Sequence, residues 1–470
     1  MLFPTLDFGL FFLVVFTVGW TLHGSADGRK FFLLACSYFF YGYWDWRFVF
    51  LLGGSTGLSY AGALLIERTD DPRRRRHILA ASVAIHVAVL GAFKYLDFFV
   101  GSLNDLLEAT GLERDLPVLK VVLPVGISFF TFQGISYLVD VYRRVMPASR
   151  APIDFFLYMS FFPHLVAGPI VRAADFLPQL KRAAEPGNIR LGMGFLLILV
   201  GLFKKSVVAN YLSVELVDPV FAEPGTFAAA DVWLAAYAYA IQIYCDFSAY
   251  TDMAIGLAAL LGFQFPRNFN QPYRADSLQD FWRRWHMTLS AWLRDYLYIP
   301  LGGSRGGFWR TNRNLLLTMV LGGIWHGANW TFVVWGTLHG AGLVAERLWR
   351  RGHPARPQGW LGRALSVAWV FHFVCLAWIF FRADSFATAF TFLAAFGHWG
   401  QPAQFLSPFL VTLVGLGFAA QFLPAHWLER VERHFLELSP VEKGLCVGMV
   451  IVMINAMAME GVAPFIYFQF

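Results

Sequence analysis

The chain has 470 residues, of which 57% are hydrophobic, 18% aromatic and only 14% charged, with a mean hydropathy of +0.53. That excludes an ordinary soluble domain, in which charged residues make up about a quarter. The net charge of +6 is modest, and its distribution along the chain says more than its sum. A hydrocarbon core of about 30 Å takes roughly 20 apolar residues per helical span, and such stretches recur from end to end. The runs are unbroken rather than alternating, which makes them helices of a bundle and not strands of a barrel.

The first apolar stretch, LFFLVVFTVGW at 10–20, has no basic segment before it and no small-residue cleavage pattern after it. It is expected to stay as the first span, 7–22, rather than to be removed as a signal peptide. Further spans are expected at 31–44, 47–66, 78–100, 118–138, 192–210, 232–262, 364–382, 405–424 and 443–460. Segment 153–171 is apolar but interrupted by Pro163, His164, Gly168 and Pro169. It is expected to enter the membrane and turn back, which requires protein around its exposed backbone. Stretch 314–347 would be about 50 Å long as a straight helix. Gly322, Gly323 and Gly327 punctuate it and predict a broken or re-entrant pair. No soluble domain, low-complexity linker or clear repeat intervenes, so 1–470 reads as one membrane-embedded domain ending in the aromatic motif FIYFQF, with 461–470 expected outside the cytoplasm.

Loop charge supports that topology. The turn at Arg29 and Lys30, RTDDPRRRR at 68–76, VYRRVMPASR at 141–150 and RLWRRGHPARPQGWLGR at 347–363 are basic, whereas WDW at 44–46, NDLLEATGLERD at 104–115 and the 215–231 loop are neutral or acidic. The two kinds alternate, and with 153–171 and 314–347 both entering and leaving on the cytoplasmic side every basic loop falls in the cytoplasm and both termini outside. Cys36, Cys245, Cys375 and Cys446 sit in or beside apolar runs without metal-ligand spacing and read as small buried hydrophobes.

Three stretches carry chemistry. In YCDFSAYTDMAIG (244–256), Asp246 and Asp252 interrupt an apolar helix. Such carboxylates face a cavity or a partner, and the alternatives are a substrate-facing role for Asp246 or pairing of both with arginines that hold the bundle. In FWRRWHMTLSAWLRDYLYIPLGGSRGG (281–307), Phe281, Trp285, Leu289, Trp292 and Tyr296 share one helical face, with Arg283 and Arg294 opposite and Arg284 at the stripe's edge. That predicts one amphipathic helix along the cytoplasmic interface. Its arginines either snorkel there or meet the phosphates of an anionic donor, with Arg283 and Arg284 the candidates. In LGGIWHGANWTFVVWGTLHG (321–340), His326 lies among glycines in an apolar setting where the neutral imidazole is favoured, so it is either a general base or a hydrogen-bonded structural histidine. Asn329 could orient its ring, and Trp325 and Asn329 are expected to contact substrate. On a straight helix His326 and His339 would point to nearly opposite sides, about 20 Å apart. They are not expected to share a metal, and no HExxH is present.

The stretches LPVGISFFTFQGISYLVDVYR (123–143), FFPHLVAGPIVR (161–172), IYCDFSAYTDMAIG (243–256), NFNQPYRADSLQDFWRRWHMTLSAWLRDYLYIPLGG (268–303) and NLLLTMVLGGIWHGANWTFVVWGTLHG (314–340) resemble the membrane-bound O-acyltransferase family, specifically its bacterial alginate O-acetylation branch. The resemblance implies an all-α ring of about eleven transmembrane helices plus re-entrant segments around a central funnel. It implies that His326 holds the family's catalytic histidine position and His286 its second polar position. It further implies transfer of acetyl from cytoplasmic acetyl-CoA, without a metal, to an extracytoplasmic polysaccharide at the bacterial inner membrane, with an external SGNH-hydrolase-like transferase as partner. In related D-alanyl export systems a small partner carries an aromatic motif like FIYFQF. By that likeness Tyr467 is a candidate transient acyl carrier, with Phe465 and Phe468 as a docking surface. A phenol of pKa about 10 forms an ester that keeps much of the transfer potential of a thioester, whose thiol has a pKa of about 8.5. The alternative for the motif is an aromatic interface anchor. Two other functions remain open: a D-alanyl transferase served by a carrier protein, and an acyl-group transporter without chemistry of its own.

Overall fold

The computed structural model describes residues 1–112, 116–352 and 359–457; the 461–470 motif with Tyr467, and part of the 347–363 loop, lie outside the described residues. Among the described residues all regular structure is helical, and it forms two compact units.

The first unit comprises residues 1–190 and 257–265. Its helices are α1 (Leu6–Thr21), α2 (Ala26–Gly42), α3 (Arg47–Arg68), α4 (Pro72–Lys94), α5 (Leu96–Ala109), α6 (Ile127–Tyr142), α7 (Pro152–Ser160), α8 (Phe162–Leu165) and α9 (Ala173–Leu180). Local sequence explains several starts: Thr5 and Ser25 cap α1 and α2 through their hydroxyls, and Asp71 caps α4 ahead of Pro72. Buried Arg29 donates from Nε to the Gly19 carbonyl and from a terminal nitrogen to the Leu261 carbonyl. Arg75 likewise reaches the Ile66 and Tyr142 carbonyls. Both cations therefore sit at helix C-termini, where the orphan carbonyls and the helix dipole favour positive charge. The expected single span at 78–100 breaks at Tyr95, between α4 and α5. The expected span at 118–138 is not helical until Ile127, because Pro124 and Gly126 (φ 77°) interrupt it. The Asp97 carboxylate accepts the Leu119 and Val121 N–H groups and satisfies part of that irregular backbone. Segment 153–171 is broken at Phe161 and buried throughout α8.

The second unit comprises, among the described residues, 191–256, 266–352 and 359–457. Helix α10 (Leu191–Phe203) runs through a π-helical tract (Lys204–Ala209), α11 (Asn210–Leu212), a second π-tract (Ser213–Val217) and α12 (Asp218–Ala222). Then come α13 (Ala229–Leu260), α14 (Leu278–Arg284), α15 (Met287–Leu293), a π-turn at Arg294–Tyr298, α16 (Phe308–His326), α17 (Trp330–Gly352), α18 (Trp360–Arg382), α19 (Phe386–Ala395), α20 (Pro408–Ala419), α21 (Ala425–Glu437) and α22 (Pro440–Met457). Helices α16 and α17 approach closely through glycines: a Cβ on Gly336 would lie 2.5 Å from the Met319 carbonyl oxygen, and one on Gly323 would strike the Phe332 carbonyl. The sequence expected this broken pair at 314–347.

Among the described residues five helices are long and apolar enough to cross a membrane: α3, α4, the run Leu191–Ala222, α18 and α22. The remaining expected spans fall on shorter helices, such as α2 and α6, or on α13, α16 and α17, which carry charged side chains. Length and apolarity alone therefore reach fewer spans than the eleven expected.

Candidate active site

The site is built from α13 to α18 in the second unit. Helix α13 presents Asp246 and Asp252 toward the first π-tract. Asp246 is bonded at 2.8 Å to Lys205, with both side chains almost wholly buried, and Asp252 is bonded at 2.7 Å to Lys204, which also donates to Ser248 and lies over the Tyr244 ring. The pairing alternative weighed from sequence named arginines; the partners are lysines, one helical run earlier. Two lysines inside an apolar stretch were a visible signal for this, since an intramembrane cation needs a partner.

The amphipathic stripe does not form a single helix. Phe281, Trp285, Leu289 and Trp292 are buried as the pattern predicts, but the chain breaks at His286, whose φ of 42° is left-handed. Residues 268–270 run alongside the break: Asn268 accepts from the Met287 N–H through its carbonyl and from Thr288 through Oδ1, and Asn270 donates its N–H to the Arg284 carbonyl. Those bonds replace the helical ladder that His286 interrupts. His286 caps α15, its Nδ1 accepting the Leu289 N–H at 3.3 Å. An Nδ1 that accepts carries no proton, so the neutral ring holds its hydrogen on Nε2. That Nε2 is buried and has no hydrogen-bond partner among the described residues. The ring centre lies 4.7 Å from Phe247 and 6.3 Å from Trp325.

His326 is the last residue of α16 and is 2% exposed. The chain turns at Gly327, so α17 folds back and closes aromatic rings around the imidazole. Trp325 and Trp335 are each centred 4.9 Å away and Phe381 5.3 Å away, all steeply inclined to it. His339 also lies 4.9 Å from the Trp335 ring. The break at 327–329 thus brings together two histidines that a straight helix would hold far apart. Trp325 is buried and lies between His286 and His326. The Asn329 Oδ1 accepts the Thr331 N–H and its Nδ2 donates to the Asp384 carbonyl. Arg284 is bonded to Asp280 and the Asn270 carbonyl, whereas Arg283 is exposed. The sequence did not point to Trp335 or Phe381 as neighbours of His326, because their contact depends on how α17 and α18 return. Among the described residues no three His, Cys, Asp or Glu side chains converge as metal ligands.

Residues 143–390, which contain all of these side chains, match the model of the membrane-bound O-acyltransferase family. The chain belongs to that family. It is therefore an O-acyltransferase embedded in a membrane by several helices. It is 42% identical to a probable alginate O-acetylase of Azotobacter vinelandii, over 85% of this chain and 79% of the relative. It is 38% identical to a peptidoglycan O-acetyltransferase of Helicobacter pylori, over 77% and 72%. A teichoic acid D-alanyltransferase of Bacillus subtilis is 27% identical, over 56% and 69%.

Proposed function

We propose that this acyltransferase takes acetyl from cytoplasmic acetyl-CoA and delivers it across the bacterial inner membrane for O-acetylation of an extracytoplasmic polysaccharide, with both of its termini outside. The observation that carries the reading is the pair of buried histidines, His286 and His326, on either side of Trp325, within a chain about 40% identical to proteins named O-acetylases. A water-poor aromatic enclosure suits His326 as a neutral base. The Nε2–H of His286 is a fixed donor aimed away from its own backbone bond, suited to the oxygen that gains charge when a thioester carbonyl is attacked. A hydroxyl gives its proton to His326 as its oxygen bonds the acetyl carbon; the C–S bond then breaks, and the proton passes to the departing CoA sulfur.

The hydroxyl we assign to this step is the phenol of Tyr467. Acetyl-Tyr467 would pass its group to an extracytoplasmic SGNH-hydrolase-like transferase acting on the polymer. A D-alanyl donor on a carrier protein is the second reading, favoured by the more distant D-alanyltransferase relatives. Arg283, exposed beside the site, is then a contact for donor phosphates or for an acidic carrier, and Trp325 a substrate-lining ring.

The deciding experiment is a mass spectrum of the C-terminal peptide after the purified protein meets acetyl-CoA, with His326→Ala and Tyr467→Phe in parallel. Acetyl on Tyr467 that is absent in the His326 variant is the expected result. An unmodified Tyr467 with a fully active Tyr467→Phe enzyme would remove the relay and leave direct transfer. Turnover only with a D-alanyl carrier would remove the acetyl-CoA assignment.

A further inference from the structure

We infer that His339 is a positioning residue for His326, acting through the indole of Trp335; the inference rests on the reading of His326 as the proton acceptor. Trp335 and His339 are one turn apart on α17 and share a face. Trp335 is inclined at 83° to the His326 ring and at 65° to the His339 ring, with both centred 4.9 Å away. These edge-to-face arrangements are the favoured way for such rings to meet. The remaining sides of the indole are closed by Trp378, nearly parallel at 5.7 Å, and by Phe381 at 5.2 Å.

His339 is in turn backed by Trp282 at 5.1 Å, by Phe281 lying parallel at 6.0 Å and by Phe373 at 5.9 Å. It is wholly buried, and neither of its ring nitrogens has a hydrogen-bond partner among the described residues. The imidazole is therefore held by shape: it is a flat wedge between the α14 aromatics and Trp335. The backbone on either side cannot absorb a change, because a Cβ on Gly336 or Gly340 would already crowd α16, at 2.5 Å from the Met319 carbonyl and 2.8 Å from Leu316. In a close-packed interior, volume lost at His339 is taken up by rotation of Trp335, and Trp335 touches His326. In the acyl transfer itself His339 carries no proton and meets no substrate.

The test uses the full-length protein in lipid nanodiscs with His339→Ala, His339→Phe and His339→Gln. His339→Ala should lower kcat with acetyl-CoA by about tenfold to a hundredfold, the scale of a displaced catalytic group, with KM for acetyl-CoA unchanged. His339→Phe, which keeps a flat ring, should restore most of kcat; His339→Gln, which keeps polarity without the ring, should not. Carbethoxylation of His326 by diethyl pyrocarbonate, read on its peptide by mass, should change rate in His339→Ala and return in His339→Phe, with no turnover required. Should His339→Ala aggregate, Trp335→Phe must show the same loss of kcat alone. Wild-type kcat in His339→Ala, a defect confined to KM, or rescue by Gln and not Phe would overturn the inference. A wild-type protein inert toward acetyl-CoA would instead overturn the functional reading, while the carbethoxylation series would still decide the role of His339.

Discussion

Replacing Gly336 with alanine should pull α16 and α17 apart. The added Cβ would sit 2.5 Å from the Met319 carbonyl oxygen and 3.1 Å from both the Gly323 and Val320 Cα atoms, so every obstruction is backbone and no side chain can swing aside. Raising 2.5 Å to an ordinary contact of 3.4 Å moves α17 away from α16 by 0.9 Å at that point. Alanine gains about 1 kcal/mol in helix propensity over glycine, which offsets only part of the lost packing between two interlocked helices. His326 is on α16 and the ring that touches it, Trp335, is on α17, so the displacement falls directly on that contact. A shift of this size at a catalytic group costs about a hundredfold in rate. Acetyl transfer from acetyl-CoA by purified protein measures it, with thermal stability in detergent recorded alongside. Gly448→Ala on α22 is the control, since a Cβ there meets nothing within 4 Å. If Gly336→Ala retains full activity with an unchanged melting temperature, close approach of the two helices does not set the site.

Three further perturbations separate structural from chemical roles. Lys205→Met should destabilise the protein by roughly 3–5 kcal/mol, because Asp246 is left without its buried cation, whereas Lys205→Met with Asp246→Leu should recover most of the loss. Thermal unfolding measures both, and a stable but inactive double variant would give Asp246 a role beyond the pair. Arg283→Ala should raise KM for acetyl-CoA severalfold without changing stability, while Arg284→Ala, which loses its bonds to Asp280 and the Asn270 carbonyl, should lower the melting temperature; the reverse pattern would exchange their assignments. Asn329→Ala should cost about 1–2 kcal/mol through loss of the α17 cap with KM for the donor unaltered; a KM effect at full stability would place Asn329 at the substrate.

The periodic, apolar parts of the fold were legible because burial and helical spacing write them directly into the sequence. The break of 314–347 was readable from Gly327, and the starts of α1, α3 and α18 fall close to the expected span edges. The break at His286 was not readable. The apolar stripe from Phe281 to Trp292 continues through it, and the cause lies in residues 268–270, whose bonds to both sides of the break are a tertiary effect. Helix α21 was missed because its charged residues diluted the hydropathy that marks a span. At the site, His286 and His326 stood out as polar residues in apolar stretches, whereas the aromatic neighbours of His326 looked like ordinary core. Tyr137, Trp285 and Trp378 are equally buried elsewhere, and only the return of α17 and α18 distinguishes a site wall from packing.

The two π-helical tracts between residues 204 and 217 make the 191–222 run intolerant of small changes in length. A π-turn holds one residue more than an α-turn, so the run carries surplus residues that a regular helix would not accommodate. Deleting one residue from either tract would let the segment relax into ordinary α-helix. A deletion in α10, ahead of Lys204 and outside the tracts, would turn both lysines about 100° around the axis and away from Asp252 and Asp246, stranding four charges at membrane depth. A deletion beyond Lys205 that the tracts did not absorb would spare those pairs but turn Asp218 away from Arg382, its partner on α18. The segment therefore behaves as a ruler with two fixed marks, one at each end of the tracts.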